Sequence, residues 1–483
     1  MMMETDVAAD VVLASANHLA ATIFKEQSAA FLRHGAPGLP ERLDDLERLR
    51  RAIKHSASAL VAAIRADFGN RAEHETLLAE VWPALTAIRH VRENLPQWMK
   101  PRRVATPLEF RPARAEIIYQ PVGVVGIISP WNYPFQLAIM PLIDALAAGN
   151  RVMLHPSEQA PHTSEFIAGF LNELFTRDKV ATILGGPDVA AQFASLPFNH
   201  LFFTGSSSIG RKVMRAAAEN LTPVTLELGG KSPCIIGDDA PLGVAAARIA
   251  SGKLLNAGQT CVAPDYLFVP RARLDDFVGH FVAAASKYYP HLDSNPDYTT
   301  IINERHFRRL RGYVDEARAR GMRVIEINPA KEELGLPSRA FPPTLVIDPS
   351  DDLALMREEI FGPILPIKTY LTIDEAIDYI NARPRPLALY YFGADPAARD
   401  KVLQRTTSGG VSINDTLMHV ALETLPFGGA GESGLGAYHG EAGFETFSHR
   451  KSVFTQSRFN PTALFRPPFG RFKRRLIDIL LSR

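Results

Sequence analysis

The chain has 483 residues, of which 46% are hydrophobic and 22% charged, a balance ordinary for a soluble globular protein of two or three domains. Its 53 basic and 52 acidic residues leave a net charge of +1, so there is no electrostatic footprint for nucleic acid. Two cysteines, Cys234 and Cys261, are too few for a disulfide scaffold or a four-thiolate zinc site, and they fit a reducing cytoplasm.

The first ten residues carry early acids and no basic-then-apolar pattern, so no secretory signal is expected. No apolar run is long enough to predict a membrane-spanning helix. Leu43, Leu46, Leu49 and Ile53 recur at helical spacing, and residues from about Pro40 to Met99 read as helices. Asp67-Phe68-Gly69-Asn70 breaks that run. The segment from Pro101 to Arg114 reads as a connector. Val122 to Ser129 is a short apolar run, as expected of a strand buried on both faces. Similar runs recur at Arg151–Leu154, Ala181–Leu184, His200–Thr204 and Val224–Leu228. Helical stretches such as Thr163–Thr176 and Ile209–Glu219 separate several of them. This alternation predicts a parallel sheet with crossover helices. A second series follows Glu227, with strands expected at Cys234–Ile236, Tyr266–Val269, Val324–Ile327, Thr344–Ile347, Ile364–Lys368, Leu387–Phe392 and Gly410–Ile413. The pattern gives two α/β domains joined near residue 230. The stretch from Arg466 to Arg483 is basic and ends in an apolar run too short to span a bilayer. It reads either as a helix docked on the protein or a partner subunit, or as an amphipathic helix weakly associated with a membrane surface.

Four segments offer chemistry. Cys261 follows Asn256-Ala257-Gly258-Gln259-Thr260, a loop-like context, whereas Cys234 lies in an apolar strand and reads as a buried hydrophobe. Cys261 is either a structural thiol or a nucleophile. Glu227 closes an apolar strand just before Gly229 and Gly230. It is either a solvated strand-end acid or a general base facing a cleft. Phe203-Thr204-Gly205-Ser206-Ser207-Ser208-Ile209-Gly210 places small residues between a strand and a helix. That is either a plain tight turn or a site where free N–H groups and the helix dipole receive a pyrophosphate. Asn132, between Pro130-Trp131 and Tyr133-Pro134, is either a turn residue or an amide donor to an oxyanion. A P-loop is excluded because Thr225 stands where its first glycine belongs, and no Gly-x-Ser-x-Gly elbow occurs.

Taken in order, these segments resemble the aldehyde dehydrogenase superfamily from about residue 40 to 456. Gly258-Gln259-Thr260-Cys261 is similar to its nucleophile loop, and Leu226-Glu227-Leu228-Gly229-Gly230-Lys231 to its general-base strand. Pro130-Trp131-Asn132-Tyr133-Pro134 resembles its oxyanion segment, and Glu358-Glu359-Ile360-Phe361-Gly362-Pro363 the segment that meets the nicotinamide ribose. Cys261-Val262-Ala263-Pro264-Asp265-Tyr266, Leu425-Pro426-Phe427-Gly428-Gly429 and Phe444-Glu445-Thr446-Phe447-Ser448-His449-Arg450 resemble the class-three branch, which includes bacterial coniferyl aldehyde dehydrogenases.

The resemblance implies an α/β aldehyde dehydrogenase fold. A Rossmann-like NAD(P)-binding domain would occupy residues 1–102 and 122–229, and an α/β catalytic domain residues 230–424. A small bridging and oligomerisation sheet and the C-terminal segment would use 103–121 and 425–483. It implies oxidation of a coniferyl-type aromatic or medium-chain aliphatic aldehyde, with Cys261 as nucleophile, Glu227 as base and Asn132 as oxyanion donor. Trp131, His155, Glu158, Gly205, Ser206, Gly210, Leu228, Gly229, Glu359 and Phe361 would hold the dinucleotide. No metal is implied. A cytoplasmic homodimer is expected, with Arg111–Gln120 and the strand after His449 at the interface. One departure stands out: the family usually has Lys before Pro-Ser-Glu, and here His155 takes that place. A shorter, mostly neutral side chain favours NAD over NADP. Two rival readings remain. An acylating dehydrogenase would turn over with coenzyme A, but Glu227 argues against it. A non-catalytic structural protein would produce no NADH from an aromatic aldehyde. His419 is a candidate for the substrate lining, or an ordinary surface or core histidine.

Overall fold

A three-stranded antiparallel sheet pairs β1 (Arg102–Val104) and β16 (Ser448–Thr455) on either side of β2 (Arg114–Pro121). The computed structural model describes residues 2–293 and 295–482. β1 and β16 are largely open to solvent and β2 is half-buried, so this sheet stands away from the core. The expected connector from Pro101 to Arg114 therefore contains β1 and a short helical turn, Leu108–Phe110.

A six-stranded sheet carries the first alternating series. β3 (Val124–Ile128) is flanked on one side by β4 (Arg151–His155) and then β5 (Val180–Thr182). On its other side come β6 (His200–Thr204), β7 (Val224–Glu227) and a short antiparallel strand, β15 (Gly434–Leu435). β3 to β7 are parallel. Every residue of β3 is buried, which explains its unbroken apolar sequence. The chain adds strands first to one side of β3 and then to the other. The crevice at their carboxyl ends is thus a topological switch point, where open α/β sheets place ligands.

The second series forms a seven-stranded sheet. β8 (Pro233–Ile236) and β9 (Tyr266–Pro270) lie at its centre. β12 (Ile364–Tyr370), β11 (Thr344–Ile347) and β10 (Arg323–Glu326) extend one flank, and β13 (Ala388–Phe392) and β14 (Gly410–Ile413) the other. Only β10 runs antiparallel to its neighbour. Each strand expected from the sequence lies within two residues of an observed one.

The helix Leu39–Phe68 buries Leu46, Leu49, Ile53, Leu60 and Ile64 on one face, as their spacing predicts. Each such side chain contributes about 1.5–3 kcal/mol of burial free energy. Gly69 caps the helix at φ 84°, and its N–H donates to the Arg65 carbonyl. A helix over Met2–His34 has no counterpart in the sequence reading. Its buried stripe is Ala20, Ile23, Gln27 and Ala30, too small and too polar to read as a core face. Gln27 Nε2 donates to the carbonyls of Val152 and Arg177, both at 3.0 Å, and ties this helix to the edge of the six-stranded sheet. At the other end, Arg471–Leu481 is helical, and none of its residues is buried. The expected docking on its own chain is not seen among the described residues, since none of these side chains is buried.

Candidate active site

Four predicted segments leave the carboxyl ends of adjacent parallel strands. Ser129 to Asn132 follows β3, His155 to Glu158 ends β4, Gly205 to Gly210 follows β6, and Glu227 to Gly229 ends β7. Ser129 N–H donates to His155 O at 3.1 Å, and Gly205 N–H donates to Glu227 O at 3.0 Å. Ladder bonds therefore hold the four segments in register. The helix Ser207–Ala218 starts directly after Ser206, whose side chain is exposed. The N–H groups of its first turn face the crevice end of β6 and suit an anionic group. Gly205 and Gly210 have packing reasons as well, since a Cβ at either would press on the Phe203 ring or the Leu228 side chain.

The loop before Cys261 is bound to the loop carrying Asn132. Asn256 and Ala257 adopt left-handed φ values of 53° and 51°, and Gly258 follows at 73°. For a non-glycine residue this costs about 1–2 kcal/mol. Side-chain hydrogen bonds hold the strained turn. Asn256 Nδ2 donates to Asn132 O at 2.9 Å and to Gln259 O at 3.0 Å. Gln259 Nε2 donates to Asn256 O at 3.0 Å and Thr300 O at 3.1 Å, and its Oε1 accepts from Ile302 N at 2.9 Å. Asn132 Nδ2 reaches Gln259 O at 3.1 Å, and the hydroxyls of Tyr133 and Thr260 lie 2.7 Å apart.

Beneath this pair of loops lies a buried charge cluster. Arg71 is fully buried and donates to Asn132 O at 3.1 Å. Its guanidinium lies 3.7 Å from Glu75 and 3.6 Å from Glu80, and 4.9 and 5.0 Å from the ring centroids of Phe68 and Tyr133. Glu75 accepts from Asn256 N at 3.2 Å and Thr299 Oγ1 at 2.6 Å. Glu80, in a wide π-helical turn over Leu77–Val81, accepts from Phe135 N at 2.8 Å. Burial raises both carboxyls above their ordinary range, and Arg71 opposes that rise.

Cys261 is a free, half-buried thiol. Burial first, then the carboxylates of Glu359 and Glu227, push it up to about 12. The backbone N–H groups of Cys261 and Val262 act in the opposite direction. Glu227 is buried, neither of its oxygens has a hydrogen-bond partner, and burial holds it well above the usual carboxylate range. Burial, then the neighbouring Asp265, raises Glu359 to about 8. Its carboxylate lies over Gly229, where any Cβ would collide with it. Asp265 pairs with Lys231 and accepts from Ile360 N at 2.8 Å. Lys231 also donates to Leu355 O at 2.7 Å and Glu358 O at 3.0 Å. Arg309 donates to Ile360 O at 2.8 Å. Together these groups fix the Glu359 loop against the exit of β7.

A thiol, an unpartnered buried carboxyl and a locked amide thus converge at the carboxyl edge of a nucleotide-type sheet. The model of the aldehyde dehydrogenase family matches residues 3–453 of the chain. The chain belongs to the aldehyde dehydrogenase family. It is 50% identical to a probable coniferyl aldehyde dehydrogenase of Pseudomonas aeruginosa, over 95% of this chain and 96% of that protein. It is 47% identical to a coniferyl aldehyde dehydrogenase of a Pseudomonas species, over 94% of each. Among solved structures it resembles the substrate-bound state of Staphylococcus aureus AldH, with a TM-score of 0.90 and 40% identity over 95% of this chain and 99% of that one.

The other residues predicted for this aldehyde dehydrogenase have the following surroundings. The Trp131 ring lies 5.4 Å from Phe361, which adopts φ 51°, and 5.0 Å from His306. Leu228 is buried and donates its N–H to Ser433 O at 3.1 Å. Glu158 is exposed. His155 is buried. Its Nδ1 lies 2.9 Å from Ile183 O, while Nε2 has no partner. Burial lowers its pKa, so the ring is neutral at physiological pH. His419 is also buried, with Nδ1 at 2.9 Å from Ser412 Oγ.

Sequence reasoning missed Arg71, Glu75, Glu80, Gln259, Arg309, His306 and Lys253. Lys253 is buried and lowered to about 8 by desolvation, with Asp265 and Glu359 acting against that fall. Arg71 and Glu75, four residues apart, look like a solvated helix pair. Gln259 alone carried a signal, since a polar residue two before a candidate nucleophile invites a structural role.

Proposed function

We propose that this aldehyde dehydrogenase oxidises a coniferyl-type aromatic or a medium-chain aliphatic aldehyde to its acid, with Cys261 as nucleophile and NAD as the preferred dinucleotide. The observation that carries this reading is the unpartnered, buried Glu227 carboxyl beside the half-buried Cys261 thiol. The names of the two Pseudomonas relatives support the aromatic substrate class.

The residues present fit a dinucleotide. The open helix start after Ser206 would take its phosphates, with Gly205 and Gly210 allowing close approach. Glu359 Oε1 and His155 Nε2, both buried without partners, would take ribose hydroxyls, aided by exposed Glu158. Trp131, Phe361, Leu228 and Gly229 would border the nicotinamide end. Bound NAD(P) supplies the acceptor for the hydride that leaves the carbonyl carbon.

Cys261 Sγ, attacking as the thiolate, forms a bond to the carbonyl carbon, and the carbonyl electron pair moves to oxygen. The Asn132 amide and the Cys261 N–H donate to that oxyanion. When the carbonyl re-forms, a thioester on Cys261 remains. Glu227 then takes a proton from water, the water oxygen adds to the thioester carbon, and the C–S bond breaks. The acid leaves and the thiol is restored. In this reading residues 1–102 and 122–229 bind the dinucleotide, residues 230–424 carry the thiol, and 103–121 with 425–483 form the bridging sheet between two copies and a separate C-terminal segment.

Intact mass of Glu227→Gln after reaction with NAD and coniferyl aldehyde tests the scheme. The expected result is a stable adduct with the mass of the acyl group on Cys261, absent in Cys261→Ala. Full turnover by either variant overturns the role given to that residue. A kcat/KM series over aromatic and aliphatic aldehydes fixes the substrate class.

A further inference from the structure

Among the described residues no helix is long and apolar enough to cross a membrane. The C-terminal helix offers a different kind of surface. In Arg471–Leu481 no residue is buried, and Phe472, Ile479 and Leu481 are 68%, 55% and 80% exposed. Phe459 and Phe469, just before it, are exposed as well. At about 100° per residue, Phe472, Leu476, Ile479 and Leu480 share one face of the helix. Arg474 lies on the opposite side, and Arg471 and Arg475 flank the apolar face. Six basic residues, Arg458, Arg466, Arg471, Lys473, Arg474 and Arg475, stand against one acid, Asp478. All but Lys473 are exposed. The whole chain carries only +1, so outside residues 458–482 the balance is 47 basic to 51 acidic, a net of −4. The chain's excess of positive charge is therefore concentrated around the open apolar face.

We propose that this helix is a docking surface for an anionic lipid bilayer. Phe469, Phe472 and Ile479 would enter the boundary between headgroups and acyl chains, and the arginines would meet lipid phosphates. Charge complementarity selects this occupant. A second copy of the chain would bring the same basic rim against itself and so add repulsion, whereas an anionic surface neutralises it. The docking does not depend on the proposed substrate. If the apolar aldehyde class holds, the enzyme would meet aldehydes that partition into lipid.

The test is co-sedimentation of the full chain with vesicles of equal parts phosphatidylcholine and phosphatidylglycerol, against vesicles of phosphatidylcholine alone. Three variants accompany it: Phe469→Ser with Phe472→Ser, Arg474→Glu with Arg475→Glu, and a chain ending at Asn460. Aldehyde oxidation in vesicle-free buffer, with any aldehyde the parent accepts, shows that each variant is folded. A thermal melt serves that purpose if the parent accepts none. The full chain should pellet with the anionic vesicles only and be released by high salt. Each variant should lose about tenfold or more of the binding. Equal pelleting with and without the tail overturns the proposal. So does a tail that changes the sedimentation coefficient of the protein but not its vesicle binding, which would give the face to a second copy of the chain.

Discussion

The side-chain amide of Asn132 donates to the backbone carbonyl of Gln259 across 3.1 Å, two residues before Cys261. The amide proposed to face the oxyanion and the peptide that carries the thiol are thereby one unit, closed from below by Asn256. Asn132→Ala removes a donor whose bond is strongest in the transition state, so kcat and kcat/KM should fall together. One such donor is worth about 2.7–4 kcal/mol, or about 10²–10³ in kcat. Steady-state kinetics with saturating NAD measures this. A kcat near that of the parent would remove Asn132 from the oxyanion role.

Arg71 is the only cation that Glu75 and Glu80 contact as an ion pair among the described residues. Arg71→Met keeps the volume but leaves two carboxyls buried without it, which should cost about 3–5 kcal/mol. The loss should depend on pH. Both carboxyls are raised above 4.5 in the folded protein, so their protonated forms are favoured there. Stability is present below 4.5 and is lost as pH rises through the raised values, more steeply without Arg71. Urea melts of parent and variant at mildly acid and mildly alkaline pH should show the gap widen upward. A constant gap would mean that the carboxyls do not titrate in that window.

What the chain reveals unaided divides along physical lines. Short apolar runs separated by helical stretches make both large sheets legible, because burial on two faces demands runs such as Val124 to Ile128. Cys261, Glu227 and Asn132 are visible as candidates, since each sits in a segment with a turn or glycine signature. Their environment is not visible. The desolvation of Glu227 arises where β7, β6 and β15 meet, from residues more than two hundred positions apart. The Met2–His34 helix hides because its contact stripe uses alanine and a buried glutamine. Arg71 hides because a buried and a solvated arginine are spelled alike.

Glu359 should control how readily the free enzyme's thiol reacts. It titrates at about 8, so above that pH its carboxylate helps hold the proton on Cys261. Glu359→Gln removes that charge and should lower the thiol's pKa. Alkylation of Cys261 by iodoacetamide should then be severalfold faster than in the parent above pH 8, and the two rates should converge below it. Cys234, fully buried, should stay unlabelled in peptide maps and serve as the internal control. A parent rate equal to that of the variant at every pH would place the Glu359 charge too far away to matter.

In the proposed dinucleotide site, the His155 tautomer should set the choice between NAD and NADP. A carbonyl only accepts, so the 2.9 Å contact with Ile183 O places the proton on Nδ1. Nε2 then keeps a buried lone pair without a partner, and burial keeps the ring from gaining a second proton. A lone pair accepts a ribose hydroxyl and repels a phosphate, so NAD should be the better substrate. His155→Lys supplies a cation and should raise kcat/KM for NADP relative to NAD by about tenfold, equivalent to about 1.4 kcal/mol. The same change loses the bond to Ile183 and the contact with Phe193, whose ring centroid lies 5.7 Å away, so melting should fall by about 1 kcal/mol. Dinucleotide fluorescence titrations separate affinity from turnover. A parent enzyme that prefers NADP would show that the neutral ring does not set the choice.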